Sequence, residues 1–130
     1  MYPNTNQLLG DTSLKNHRKL RIAFFGNHIY GCCSLYALLD AGFRPEIVIS
    51  NTSRDNEQIW YPSVSDLAIA HNIEEYRCNK VTRDGNIFTR IKDIKPDILV
   101  VSSYRNILGD HILNMCELGA INLSIYRVFE

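Results

Sequence analysis

Two short stretches carry the residues whose types and positions could do chemistry. Ser102 to Leu108, Ser-Ser-Tyr-Arg-Asn-Ile-Leu, follows the apolar run Ile98 to Val101, and Asn122 sits near the end of a second apolar run, Ala120 to Leu123. Both runs read as strands of a parallel sheet, and in an open sheet of that kind ligands gather just outside the carboxyl ends of the strands. The loop and the asparagine would share that place. Taken alone, Asn122 reads as an asparagine satisfying backbone groups at a strand end. Other candidates are weaker. His28, in the turn after the first strand, reads as a solvated loop residue before it reads as a base. Trp60 and Tyr61 either stack on a flat ligand or cap the edge of the sheet. The four cysteines have no metal or disulfide spacing, because Cys32 and Cys33 are adjacent on one helix, so reduced thiols are expected, with Cys33 as packing.

The elements that must position these residues alternate strand and helix along the chain. Leu20 to Phe25 is the first strand, closed by Gly26. Gly31 to Ala41 follows as a helix with Cys32, Leu35, Leu38 and Leu39 on one face and Gly42 as its stop. Glu46 to Ile49 is the second strand. Pro62, Ser63 and Asp66 open a second helix that runs to about His71. Ile73 to Cys78 reads as an edge strand, charged by Glu74, Glu75 and Arg77. A helix over Asn86 to Ile94 shows Ile87, Ile91 and Ile94 on one face. The unit Lys95 to Ser124 then reads as strand, loop, helix over Asp110 to Cys116 and strand, with both strands buried. The sum is an α/β, Rossmann-like, doubly wound and mostly parallel sheet. The turn after the first strand holds only Gly26 and Gly31, not the Gly-x-Gly-x-x-Gly of dinucleotide binders, so a nicotinamide cofactor is not indicated.

The stretch from Lys95 onward resembles the core of the 10-formyltetrahydrofolate-dependent formyltransferases. The resemblance lies in Lys95-Pro96-Asp97, the apolar strand, Ile107-Leu108, then Gly119, Ile121 and Asn122, and Pro62-Ser63-Val64 matches a helix start of the same family. It covers about Leu20 to Leu123. It implies an N-terminal part of a formyltransferase catalytic domain over 20–130, with the sheet incomplete at the C-terminus, preceded by a flexible polar leader over 1–19. It implies 10-formyltetrahydrofolate as co-substrate, held through main-chain groups by Tyr104, Arg105, Asn106, Ile107 and Leu108, with Asn122 catalytic and no metal. The acceptor would be a small-molecule amine, most simply the amino sugar of a nucleotide sugar, since Ser-Tyr-Arg-Asn-Ile-Leu is closer to the sugar enzymes than to the methionyl-tRNA enzyme.

The departures fall on the chemistry. Where the family has a histidine two residues after the asparagine, this chain has Ser124, whose hydroxyl neither titrates near neutral pH nor supplies a cationic donor. The family's later aspartate has no counterpart before Glu130, so weak or absent turnover is expected. Ser124 to Glu130 can be encoded so that a two-base shift yields His-Leu-Pro-Ser-Phe-Arg, which suggests a frameshift after Leu123. The alternatives are a non-catalytic folate- or nucleotide-binding module and a fragment of a methionyl-tRNA formyltransferase.

Composition sets the outer limits. One hundred and thirty residues with 45% apolar and 22% charged content describe one domain, and a net charge of zero without a basic stripe makes a nucleic-acid partner unlikely. No run is long and apolar enough for a membrane, so the expectation is a cytoplasmic protein. An uncovered last strand, Ala120 to Leu123, makes a homodimer a reasonable expectation.

Overall fold

The computed structural model describes residues 19–54 and 60–123. Its elements in chain order are β1 (Ile22–Gly26), α1 (His28–Asp40), β2 (Ile47–Ser50), α2 (Val64–Ala70), β3 (Glu74–Arg77), α3 (Asn86–Ile94), β4 (Ile98–Ser102), α4 (Asp110–Leu113) and β5 (Ala120–Leu123). The strands form one sheet in the order β3-β2-β1-β4-β5, every pairing parallel. The order reverses between β1 and β4, which pair from Ile22 opposite Ile98 to Gly26 opposite Ser102.

β1 is buried along its whole length because its alternating side chains enter two separate cores. Ile22 and Phe24 pack with Val48 and Val100 under α1 and α2, which contribute Cys32, Leu35, Val64 and Ala68. Ala23 and Phe25 pack with Ile47, Ile49 and Leu99 on the opposite face, under Ile91, Ile94 and Ile112 of α3 and α4. Helices on both faces make the sheet doubly wound, as the alternating pattern predicts.

Local chemistry sets the element ends. α2 carries a reciprocal capping box, in which Ser63 Oγ accepts from the Asp66 N–H (2.9 Å) and Asp66 Oδ2 accepts from the Ser63 N–H (3.3 Å). α1 closes on Gly42 at φ +91, with the Phe43 N–H reaching the Leu38 carbonyl (2.8 Å). The Lys-Pro-Asp motif is a clamp at the amino end of the sheet. Buried Asp97 accepts the Arg21 N–H through Oδ2 (2.8 Å) and returns its own N–H to the Arg21 carbonyl (2.7 Å), joining the starts of β1 and β4.

Four expectations are corrected. α1 begins at His28, three residues earlier than Gly31, since Asn27 already serves as its N-cap. Cys33 is exposed, because it falls on the outer side of α1 while Cys32 faces the core. The helix expected over Asp110 to Cys116 is a single turn, Asp110–Leu113, after which the Met115 N–H bonds back to Ile112 and the chain turns; Cys116 is buried nonetheless. β5 is exposed at all four residues rather than buried, since it is the edge strand and among the described residues no helix covers it. The leader lies outside the described residues apart from Lys19, as does Ser124 with everything after it. Among the described residues no helix is long and apolar enough to cross a membrane.

Candidate functional site at the carboxyl ends of β4 and β5

β4 and β5 run in parallel with Val101 opposite Asn122 and Ser102 opposite Leu123, so the loop leaving β4 and the end of β5 meet on one side of the sheet. Between them lies a cavity of about 610 Å3. Tyr104, Arg105, Asn106, Ile107, Leu108 and Asn122 all line it, with Leu113 and Leu123 as apolar neighbours. The six residues singled out from the sequence are therefore brought together.

The loop itself is held by polar contacts that the sequence reading did not single out. Asn51, buried just past the end of β2, donates through Nδ2 to Asn79 Oδ1 (3.0 Å) and Asn106 Oδ1 (2.9 Å) and accepts the Arg105 N–H through Oδ1 (2.9 Å). Asn79 also takes the Thr52 N–H (3.0 Å) and gives its own amide to Thr52 Oγ1 (2.7 Å). The Arg105 guanidinium donates to the Thr52 carbonyl. The one signal that could have found Asn51 is the one that drew attention to Asn122, an asparagine at the carboxyl end of a parallel strand.

Tyr104 fastens the loop from beneath. Its ring meets Phe25 edge-on at 5.3 Å between centroids and its hydroxyl donates to the Cys78 carbonyl. Burial pushes its phenol up to about 12, with Cys78 adding and Arg105 opposing. Tyr104 thus faces the protein as a neutral anchor. Ile107, in contrast, is 98% exposed, and among the described residues the main-chain groups of Asn106, Ile107 and Leu108 bond to no other backbone group. A fixed loop that offers spare peptide donors and acceptors beside an apolar tip can grip a flat, polar-edged molecule.

The crevice at the reversal point between β1 and β4 is filled by the chain itself. The Asn27 N–H donates to the Ser102 carbonyl (3.1 Å), and Ser102 Oγ shares a proton with Ser34 Oγ (2.7 Å). A Cβ on Gly31 would stand 3.2 Å from that same carbonyl. A smaller polar crevice lies beside it, lined by Asn27, His28, Asn51, Tyr61 and Arg77. His28, at φ +64, lies beside the rings of Tyr30 and Tyr61 (5.4 and 5.0 Å between centroids) and is exposed, as expected of a solvated residue in the turn after β1. Trp60 lies edge-on to Tyr61 and is 79% exposed. Among the described residues no group of histidines, cysteines and carboxylates could hold a metal.

Fold and cavity together define an open, doubly wound parallel α/β domain of Rossmann-like topology with its candidate site outside the carboxyl ends of β4 and β5. No protein-family model matches the chain. Among solved structures, it is similar in fold to glycinamide ribonucleotide transformylase 1 from Geobacillus kaustophilus, with 15% sequence identity and a TM-score of 0.58. The superposition covers 81% of this chain and 57% of that one, so this chain spans little more than half of that protein's length.

Proposed function

We propose that this chain is the folate-holding part of an N-formyltransferase, built to bind 10-formyltetrahydrofolate and to present its formyl carbon to an amine. The observation that carries the reading is the shared cavity. Both stretches of the formyltransferase resemblance that bear on chemistry, Tyr104 to Leu108 and Asn122, line one space of about 610 Å3. The fold similarity to a transformylase supports the same reading.

In the transfer, the amine nitrogen attacks the formyl carbon, the carbonyl electrons move onto oxygen, and the amine proton must be removed before the folate nitrogen leaves. Asn122 Nδ2 would donate to the oxyanion. The peptide groups of Asn106 to Leu108 would hold the pterin edge, and no metal enters. The acceptor in this reading is a small-molecule amine, an amino sugar on a nucleotide, and the setting is the cytoplasm, where the free thiols Cys32, Cys33, Cys78 and Cys116 stay reduced. Turnover should be weak, because in sequence Ser124 stands where the resembling family has its histidine and offers no imidazole to take the proton. That same residue favours a second reading, a binding module without catalysis. A second copy pairing along the exposed edge of β5 would make a homodimer, and a strictly monomeric mass in light scattering would count against that part.

Calorimetric titration with a deaza analogue of 10-formyltetrahydrofolate, beside a transfer assay on aminodeoxy nucleotide sugars, tests the proposal. Binding with slow transfer supports the first reading. Binding without transfer supports the second, and no binding removes both. Where transfer is measurable, Asn122→Ala should lower kcat by about 100-fold or more, as expected for loss of an oxyanion donor, with little change in affinity for the analogue.

A further inference from the structure

From its place in the hydrogen-bond network we infer that Asn51 is the positioning residue of the ligand loop, the side chain that holds Arg105 and Asn106 in the geometry the cavity requires. Only the identity of the ligand rests on the folate reading; the positioning role stands on the contacts. One buried carboxamide at the end of β2 makes three hydrogen bonds to two segments far from it in sequence, Asn79 after β3 and Arg105 with Asn106 after β4, and so ties three strand ends together. Its oxygen is the partner of the Arg105 N–H, and its nitrogen is divided between the two other asparagines. Both donors and the acceptor are engaged, so the amide can be replaced by no other side chain without leaving a polar group unpaired.

The Arg105 guanidinium on the Thr52 carbonyl and Tyr104 on the Cys78 carbonyl also hold the start of the loop, but beyond Arg105 the Asn51 carboxamide is its link to the end of β2. Asn106 and Ile107 are exposed, and among the described residues Ile107 and Leu108 make no hydrogen bond. Ser103 turns the chain at φ +59, a conformation that a non-glycine residue keeps only when its surroundings demand it. Asn51 also lines the small polar crevice with His28 and Arg77, while its side chain bonds to the loop that lines the large cavity. A loop that is ordered before ligand arrives does not pay the ordering entropy on binding, and affinity falls in proportion to the fraction of molecules with the loop in place.

The test uses the full chain, with nuclear magnetic resonance of the ligand-free protein and calorimetry with the deaza folate analogue. In Asn51→Ala, amide exchange at Arg105 should accelerate by about ten-fold or more, heteronuclear NOEs over 105–108 should drop, and analogue affinity should fall by a similar factor. Asn106→Ala, on the exposed side, should loosen the loop by a few-fold with the melting temperature unchanged. Asn106→Asp, which keeps the accepting oxygen, should restore wild-type behaviour, a rescue that a purely bulk contribution to stability would not give. Unaltered Arg105 exchange and NOEs in Asn51→Ala overturn the inference; should that variant not fold, unaltered NOEs in Asn106→Ala overturn it. If the analogue fails to bind the wild type, the folate reading falls, while the loop measurements still decide the role of Asn51.

Discussion

At the scale of single residues, Tyr104 shows how burial settles a role. A tyrosine beside a candidate ligand cavity invites a proton-transfer assignment, yet its hydroxyl is spent on the Cys78 carbonyl and its phenol is held up to about 12. Unfolded, the same phenol ionises near 10.0. The folded state therefore keeps its proton while the unfolded state loses it, so the stability this group contributes is complete below pH 10 and is lost as the pH climbs toward about 12. Tyr104→Phe should cost about 1 kcal/mol at neutral pH by removing one hydrogen bond, and should lack this part of the alkaline loss. Urea titrations of both proteins at pH 7, 10 and 12 would read the difference. The cysteines follow the same logic. Burial pushes the Cys32 and Cys116 thiols up to about 11, with Cys33 and Asp97 respectively as lesser causes. At pH 8 such a thiol is roughly one part in a thousand thiolate. Exposed Cys33 should therefore react first with a disulfide exchange reagent, and mass spectrometry of peptides after brief labelling would show Cys32 and Cys116 protected.

At the scale of elements, most of the sheet was legible because buried strands announce themselves. Ile98 to Val101 and Ile22 to Phe25 are apolar without alternation, and a strand with a core on each face has no polar side to show. Ala120 to Leu123 looks the same in sequence and yet lies exposed at the edge, because apolar content cannot reveal which strand ends the order. The short α4 was overestimated for a related reason: Cys116 is at helical spacing from Ile112 and is buried, but it reaches the core from a turn. Asn51 was legible only as an asparagine just past the end of a strand; its role was not, since its partners lie 28, 54 and 55 positions away and only the parallel pairings bring them to it. Gly31 is a case where the sequence suggested a helix start and the structure shows a contact. It lets α1 approach the end of β4, where a Cβ would meet Val64 Cγ2 at 3.0 Å and the backbone of Gly26 and Ser102 at 3.2 Å. Two of those three neighbours are main chain and cannot step aside. Gly31→Ala should therefore destabilise the fold by about 1–3 kcal/mol despite the better helix propensity of alanine. A midpoint at or above that of the wild type in urea unfolding would contradict this.

For the molecule as a whole, the sheet separates two cores that meet only through its backbone. Leu35 belongs to the core beneath α1 and α2 and Ile91 to the one beneath α3 and α4, and each is fully buried. They share no side-chain partner, because adjacent residues of every central strand point to opposite faces. Free energies of substitutions at such sites add when no contact or network joins them. Leu35→Ala should cost about 2–5 kcal/mol and Ile91→Val about 0.5–1.5 kcal/mol. The double variant should cost their sum to within about 0.5 kcal/mol. That sum approaches the whole stability of an ordinary small domain, about 5–15 kcal/mol, so the measurement is best made at the temperature of greatest stability. A clear departure from additivity would mean that the two cores communicate through a sheet that bends as one body. In that event a change beneath α1 would also reach the loop at Asn51, which hangs from the end of β2 between the two.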